Sequence, residues 1–172
     1  QDLSASDEQT QQLSQSAVLL QGQTEGISEK LSEVSLSNYH QHIYEQAKAA
    51  AEQISTQFEQ DIAQGRISET ALFDRRYKEV PNSNPKKYTT AFDSYTDKVL
   101  GAIQEPILQN NNNAVFAITS TQQGYIPTHN LVYSKPLTGD YEQDYLHNRT
   151  KRIFNDKVGA RCGNHQQPLL LQ

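Results

Sequence analysis

Apolar residues in the first part of the chain recur in alternating steps of three and four. Leu13, Ala17, Leu20, Thr24, Ile27, Leu31 and Val34 form a seam of the kind that two or more helices share. No proline interrupts residues 1 to 64, so the pattern predicts a continuous helix over that range. Polar Thr24 lies on the seam, and Thr10 lies one turn before Leu13. Gly22 and Gly26 each cost roughly 1 kcal/mol relative to alanine. The seam is therefore expected to be soft and able to hold two arrangements, with a plain, imperfectly packed helical bundle as the alternative. After Leu36 the register changes. Ile43, Ala47, Ala50, Ile54, Phe58 and Ile62 follow a period nearer 3.6, which suits a straight helix lying on a globular body. The change at Ser35–Tyr39 divides a helical segment, 1–36, from a domain, 37–172, and Gly65 is a plausible stop.

Downstream, Ser68 caps a short helix over Ser68–Leu72, and Phe73–Pro85 is irregular, with a turn cluster at Pro81–Pro85. A second helix is predicted from about Tyr88 to Gln104, burying Phe92, Val99, Leu100 and Ile103, with Pro106 ending or kinking it. Asn110–Asn113 reads as a loop. The period then becomes that of strands. Val115–Thr119, a turn at Gln122–Gly124, and Tyr125–His129 predict a hairpin whose second strand is demoted to an edge or bulge by Pro127. Residues 131–148 are expected to form a long polar loop, Arg149–Asp156 a short helix, and Pro168–Gln172 the start of a strand. So few strands cannot close a core, so the natural protein is expected to continue beyond Gln172.

The chain has 172 residues, of which 35% are hydrophobic, and its mean hydropathy is -0.77. A long exposed helix accounts for that low value, because it buries only a stripe. A net charge of -5 disfavours nucleic acid, which needs clustered Lys and Arg; the densest cluster is Arg149-Thr150-Lys151-Arg152. One cysteine, Cys162, excludes an internal disulfide. No apolar run approaches the ~20 residues of a membrane span, so any anchor is expected outside this segment. Nucleophile elbows and phosphate-cradling glycine loops are absent, and no enzyme activity is expected.

The run from Ala114 to Asn130, with Gly124-Tyr-Ile-Pro-Thr-His-Asn130 at its end, resembles the first hairpin of PAS-like or Cache-like sensor domains of bacterial chemoreceptors. Asn148-Arg-Thr-Lys-Arg-Ile-Phe-Asn-Asp-Lys-Val-Gly159 and Pro168-Leu-Leu-Leu-Gln172 resemble the continuation of one group within the methyl-accepting chemotaxis proteins. Phe73-Asp-Arg-Arg-Tyr77 and Pro85–Asp93 fit that group too, so the resemblance spans residues 40–172. Residues 1–36 are similar to the polar helix of a chemoreceptor signalling hairpin. The resemblance implies an α+β fold: a long N-terminal helix forming a coiled coil or bundle, then a PAS/Cache-like antiparallel sheet with covering helices. It implies signal transduction in chemotaxis, with small-molecule binding coupled to helix repacking in a homodimer. It favours a cytoplasmic position over a periplasmic one. A protein-interaction or structural module without a small ligand is the alternative.

In such domains the ligand lies between the sheet and its covering elements, which makes Tyr125, Thr128, His129, Asn130 and Tyr133 candidate contacts. Tyr125 reads equally as core, and His129 as a group satisfying a loop carbonyl. Arg149, Arg152 and Asp156 complete the set, with an arginine as a natural clamp for an anionic ligand. The bland reading of Arg152 and Asp156 is an ordinary i, i+4 surface bridge. His40 and His42 point about 200° apart on a helix and cannot share a metal. His147, Cys162 and His165 lack a metal-ligand spacing, and a haem would need His129 or His40 as its axial ligand. The cofactor stays undefined at this level.

Overall fold

The computed structural model describes residues 38–167 together with 169 and 170. The heptad seam from Leu13 to Val34 lies outside the described residues. The chain divides into two units, residues 45–166 and residues 1–44 with 167–172.

Helix α1, Asn38–Ala63, runs for 26 residues and is followed by Gly65, whose φ of 71° stops it as its sequence position suggested. Within residues 45–63 it buries one stripe: Gln46, Ala50, Ile54, Gln57, Phe58, Asp61 and Ile62 are the covered positions, while Ala47 is exposed. Asp61, only 1% exposed, fixes the end of this helix. It accepts from Tyr95 Oη at 2.6 Å and Gln57 Nε2 at 2.9 Å and pairs with Arg66 at 2.9 Å. These bonds, led by Tyr95, hold its carboxyl below the usual range. Helix α2, Glu69–Leu72, is capped by the Ser68 hydroxyl, which accepts from Ala71 N at 3.1 Å.

Strands β1 (Lys78–Glu79) and β2 (Tyr88–Thr89) pair antiparallel around the proline-rich turn. Tyr88 is thus a strand residue, not the start of the second helix. That helix begins five residues later because the Asp93 carboxylate accepts from Thr90 N at 3.0 Å and Thr90 Oγ1 at 2.6 Å. Helices α3 (Asp93–Val99) and α4 (Gly101–Gln109) are separated only by the fully buried Leu100. Pro106 sits inside α4, which continues to Gln109 rather than ending there. Ala102 and Pro106 are both exposed, so the bond lost at proline faces water.

The predicted hairpin does not form. Residues 115–119 make no ladder; Ala117 N donates instead to the Asn130 side chain at 2.8 Å. Strand β3, Tyr125–Ile126, pairs antiparallel with β4, Arg152–Ile153. The helix expected over Arg149–Asp156 is therefore absent, because Lys151 takes a left-handed φ of 61° and turns the chain into the ribbon. Residues 131–148 are not all loop: a 3-10 turn covers Leu131–Tyr133, and helix α5, Tyr141–His147, starts on the Asp140 cap. Helix α6, Lys157–Gly163, starts on the Asp156 cap. Leu169 and Leu170 form no strand.

The fold is mixed helix and antiparallel strand. Among the described residues the pairing is confined to two two-stranded ribbons and one bridge, Ser134 with Asn148, rather than the broader sheet expected. The core holds Ile67, Leu72, Phe92 and Tyr125, flanked by Phe58, Ile62 and Tyr95. Among the described residues no helix is long and apolar enough to cross a membrane.

Candidate functional site

Successive side chains on a strand point to opposite faces, and β3 uses both. Tyr125 enters the core. It is 0% exposed, and its hydroxyl lies 2.9 Å from both Asp93 carboxylate oxygens and 3.1 Å from the Tyr88 carbonyl. Burial, and next the Asp93 charge, push its phenol well above the usual range. Ile126 takes the other face, where it lines a cavity of about 210 Å³.

Phe116 and Ile118 supply one wall of that cavity, Phe154 a second, and Val158, Gly159 and Cys162 of α6 a third. Phe116 and Val158 are 45% and 59% exposed, so they form its rim. Two glycines make the closure possible. Gly124 has a φ of 79°, and a Cβ there would collide with the Phe154 carbonyl. A Cβ on Gly159 would lie 2.5 Å from the same oxygen, so only glycine lets α6 approach Phe154 this closely.

The polar lining is Ser120, His129, Arg149 and Asp156. His129 is 4% exposed. Its Nδ1 accepts from Asn130 N at 2.9 Å, so the neutral ring carries its proton on Nε2. Phe116 and Tyr133 pack edge-on against the ring at 5.7 and 5.0 Å. Burial first, and then the Arg149 and Arg152 charges, lower its pKa to about 4. Arg149 lies over the Tyr133 ring at 5.0 Å, and no carboxylate of the described residues is within ion-pair distance of it. Asp156 is committed differently, since its Oδ1 accepts from Gly159 N at 2.7 Å as the cap of α6.

Of the eight residues singled out from the sequence, His129, Arg149 and Asp156 meet in this cavity, and Tyr133 backs the first two. The other four lie elsewhere. Thr128 donates to Asp97 at 2.7 Å. Asn130, fully buried, joins Ala117 N to Glu105. Arg152 is held between the Tyr145 and Phe154 rings at 4.5 and 4.9 Å and donates to the Tyr145 carbonyl at 2.9 Å. Its expected surface bridge to Asp156 is not made, because no helix spans the two. Tyr125 is core.

Lys87 was not legible as a site residue. It is 9% exposed, and its ammonium donates to Asn148 Oδ1 and, at 2.7 Å, to the Thr150 carbonyl. Both acceptors flank Arg149, so Lys87 fixes the turn that presents the guanidinium. Burial first, then the Arg152 and Lys151 charges, lower its pKa to about 8.

A second cavity of about 110 Å³ lies across the segment Thr119–Thr121 and reaches Phe58 of α1, Leu72 and Phe92. Ser120 lines both cavities. A groove of about 380 Å³ between α1 and α4 is lined by three alanines, two isoleucines, Pro106 and three amides, with no charged group. Among the described residues no three His, Cys, Asp or Glu side chains gather as a metal site. Comparison with models of protein families, with curated proteins and with solved structures finds no match.

Proposed function

We propose that residues 45–166 bind a small molecule in the cavity against β3 and β4, and that the chain is the sensory segment of a bacterial chemotaxis transducer. The observation that carries the binding reading is the cavity's position. It is lined by buried His129 and by Arg149, which pairs with no carboxylate of the described residues, and it is one chain segment, Thr119–Thr121, away from a second cavity walled by Phe58 of α1. A ligand that displaces this shared wall alters the packing of α1. A bias between two packings, not a rigid push, is sufficient for signalling. The chemotaxis assignment rests on the sequence resemblance alone. So do the PAS/Cache-like character of the domain and its cytoplasmic position; the proposed dimer rests on the Leu13–Val34 seam, and the non-enzymatic reading on the sequence motifs.

The test is a thermal-shift screen of the chain against amino acids, organic acids, purines, sugars and metal ions. Binding to the folded state raises stability by about 2.7 kcal/mol at a hundredfold excess over Kd. A shift with one chemical class, lost when Ile118→Trp fills the cavity, supports the reading. No shift with any class moves the reading to a protein-interaction module. One observation favours that alternative: Leu131, Leu137, Tyr141, Tyr145 and Leu146 are exposed on neighbouring segments, Leu131 at 73%.

A further inference from the structure

From the chemistry of the lining we infer that the ligand is a small carboxylate with a compact apolar body. The inference rests on the cavity being a ligand site. The polar wall holds more unused donors than acceptors, Asp156 being the one carboxylate in it. His129 Nδ1 is already occupied by Asn130 N, which leaves Nε2–H as the donor that a ligand in the cavity can use. The Arg149 guanidinium stacks on Tyr133, faces no carboxylate of the described residues within ion-pair distance, and retains its N–H donors. Ser120 and Cys162 add a hydroxyl and a thiol. The one acid of the lining, Asp156, has an oxygen committed to the cap of α6.

His129 and Arg149 both line the cavity, so a ligand that supplies an acceptor there engages donors that no described residue uses. A planar carboxylate meets the guanidinium fork in two parallel bonds. Neither a cation nor an amide nitrogen does so. The remaining surface, Phe116, Ile118, Ile126, Phe154 and Val158, is aliphatic and aromatic and calls for an apolar body. At about 210 Å³ the space is below the roughly 300–1,000 Å³ of drug-sized pockets, which limits that body to one ring or one branched chain.

The experiment titrates the chain calorimetrically with benzoate, phenylacetate and isovalerate, and with the matched neutral amides and phenethylamine. Cys162, the only cysteine and exposed in the cavity lining, gives a second readout through its rate of alkylation by a thiol reagent. The expected result is binding of at least one carboxylate, slower Cys162 alkylation when it is bound, and no binding of its amide. Arg149→Met, which keeps the stem over Tyr133, weakens that carboxylate roughly tenfold to a hundredfold in Kd, the worth of a charge-assisted bond. Far-ultraviolet circular dichroism of the variant separates this from unfolding. If amides or the amine bind and protect Cys162 while carboxylates do not, the ligand class is overturned and the site stands. If no probe binds, or carboxylates bind without slowing alkylation and despite Ile118→Trp, the site itself is lost and the class with it.

Discussion

Burial beside two guanidinium groups keeps the His129 imidazole neutral down to about pH 4. In the unfolded chain the same ring titrates near 6.5. Above that value neither state is protonated and the residue adds no pH dependence. As pH falls below it, the unfolded chain takes up a proton that the folded one refuses, so stability falls until the folded ring titrates too. Between pH 7 and pH 5 the loss from this one residue is about 2 kcal/mol. Urea unfolding at both values is expected to show that extra loss in the native sequence and its absence in His129→Phe; equal losses would contradict it. Tyr125→Phe tests a different assignment. Removing the hydroxyl that lies 2.9 Å from the buried Asp93 carboxylate should cost about 2 kcal/mol of unfolding free energy. Carboxylate binding should persist, because Tyr125 faces the core and not the cavity. A stable variant that had lost binding would put Tyr125 at the site.

At the scale of elements, the ribbon of β3 and β4 depends on close backbone approach. Gly124→Ala places a Cβ against the Phe154 carbonyl at a positive φ and should cost more than about 2 kcal/mol, read as a lowered urea midpoint with far-ultraviolet circular dichroism retained in the absence of urea. A neutral outcome would mean that β4 can move away freely. This approach also explains what the sequence could convey. Helices α1 and α2 were legible because their signals are local: one apolar stripe, a Ser68 cap and a glycine stop. The starts of α3, α5 and α6 also have local signals, in Thr90-x-x-Asp93, Asp140-x-x-Gln143 and Asp156-x-x-Gly159. The first was outweighed by the apolar periodicity around it, and the other two lie in stretches whose polar composition reads as loop and turn. The 115–119 segment misled for the opposite reason. Its β-branched and aromatic residues fit a strand, yet the partner of β3 is chosen by contacts 28 residues away, Tyr125 with Ile153. The site shows the same division. Arg149 and His129 stand out as residue types, but that Lys87 holds the turn presenting Arg149 depends on a bond across 61 positions, to Asn148.

At the scale of the whole molecule the account joins a binding cavity to a helical output. The seam from Leu13 to Val34 is expected to make the chain a dimer, so Leu20→Asp with Leu31→Asp should convert it to a monomer in analytical ultracentrifugation. A chain monomeric before substitution would contradict that expectation. Signalling further requires that the cavity and α1 respond together, which is a coupling between two places and not a property of either. The candidate route runs through Thr119–Thr121 to Phe58, which packs on Tyr95 at 5.8 Å, and to Asp61, held by the Tyr95 hydroxyl. Amide hydrogen exchange of the chain, with and without saturating phenylacetate or whichever probe binds, tests this most directly. The account predicts altered exchange both at Ser120 and Phe154 around the cavity and at Phe58–Ile62 of α1. A change confined to the cavity, with α1 exchanging identically in both states, would make the protein a binder without an output and contradict the sensory reading.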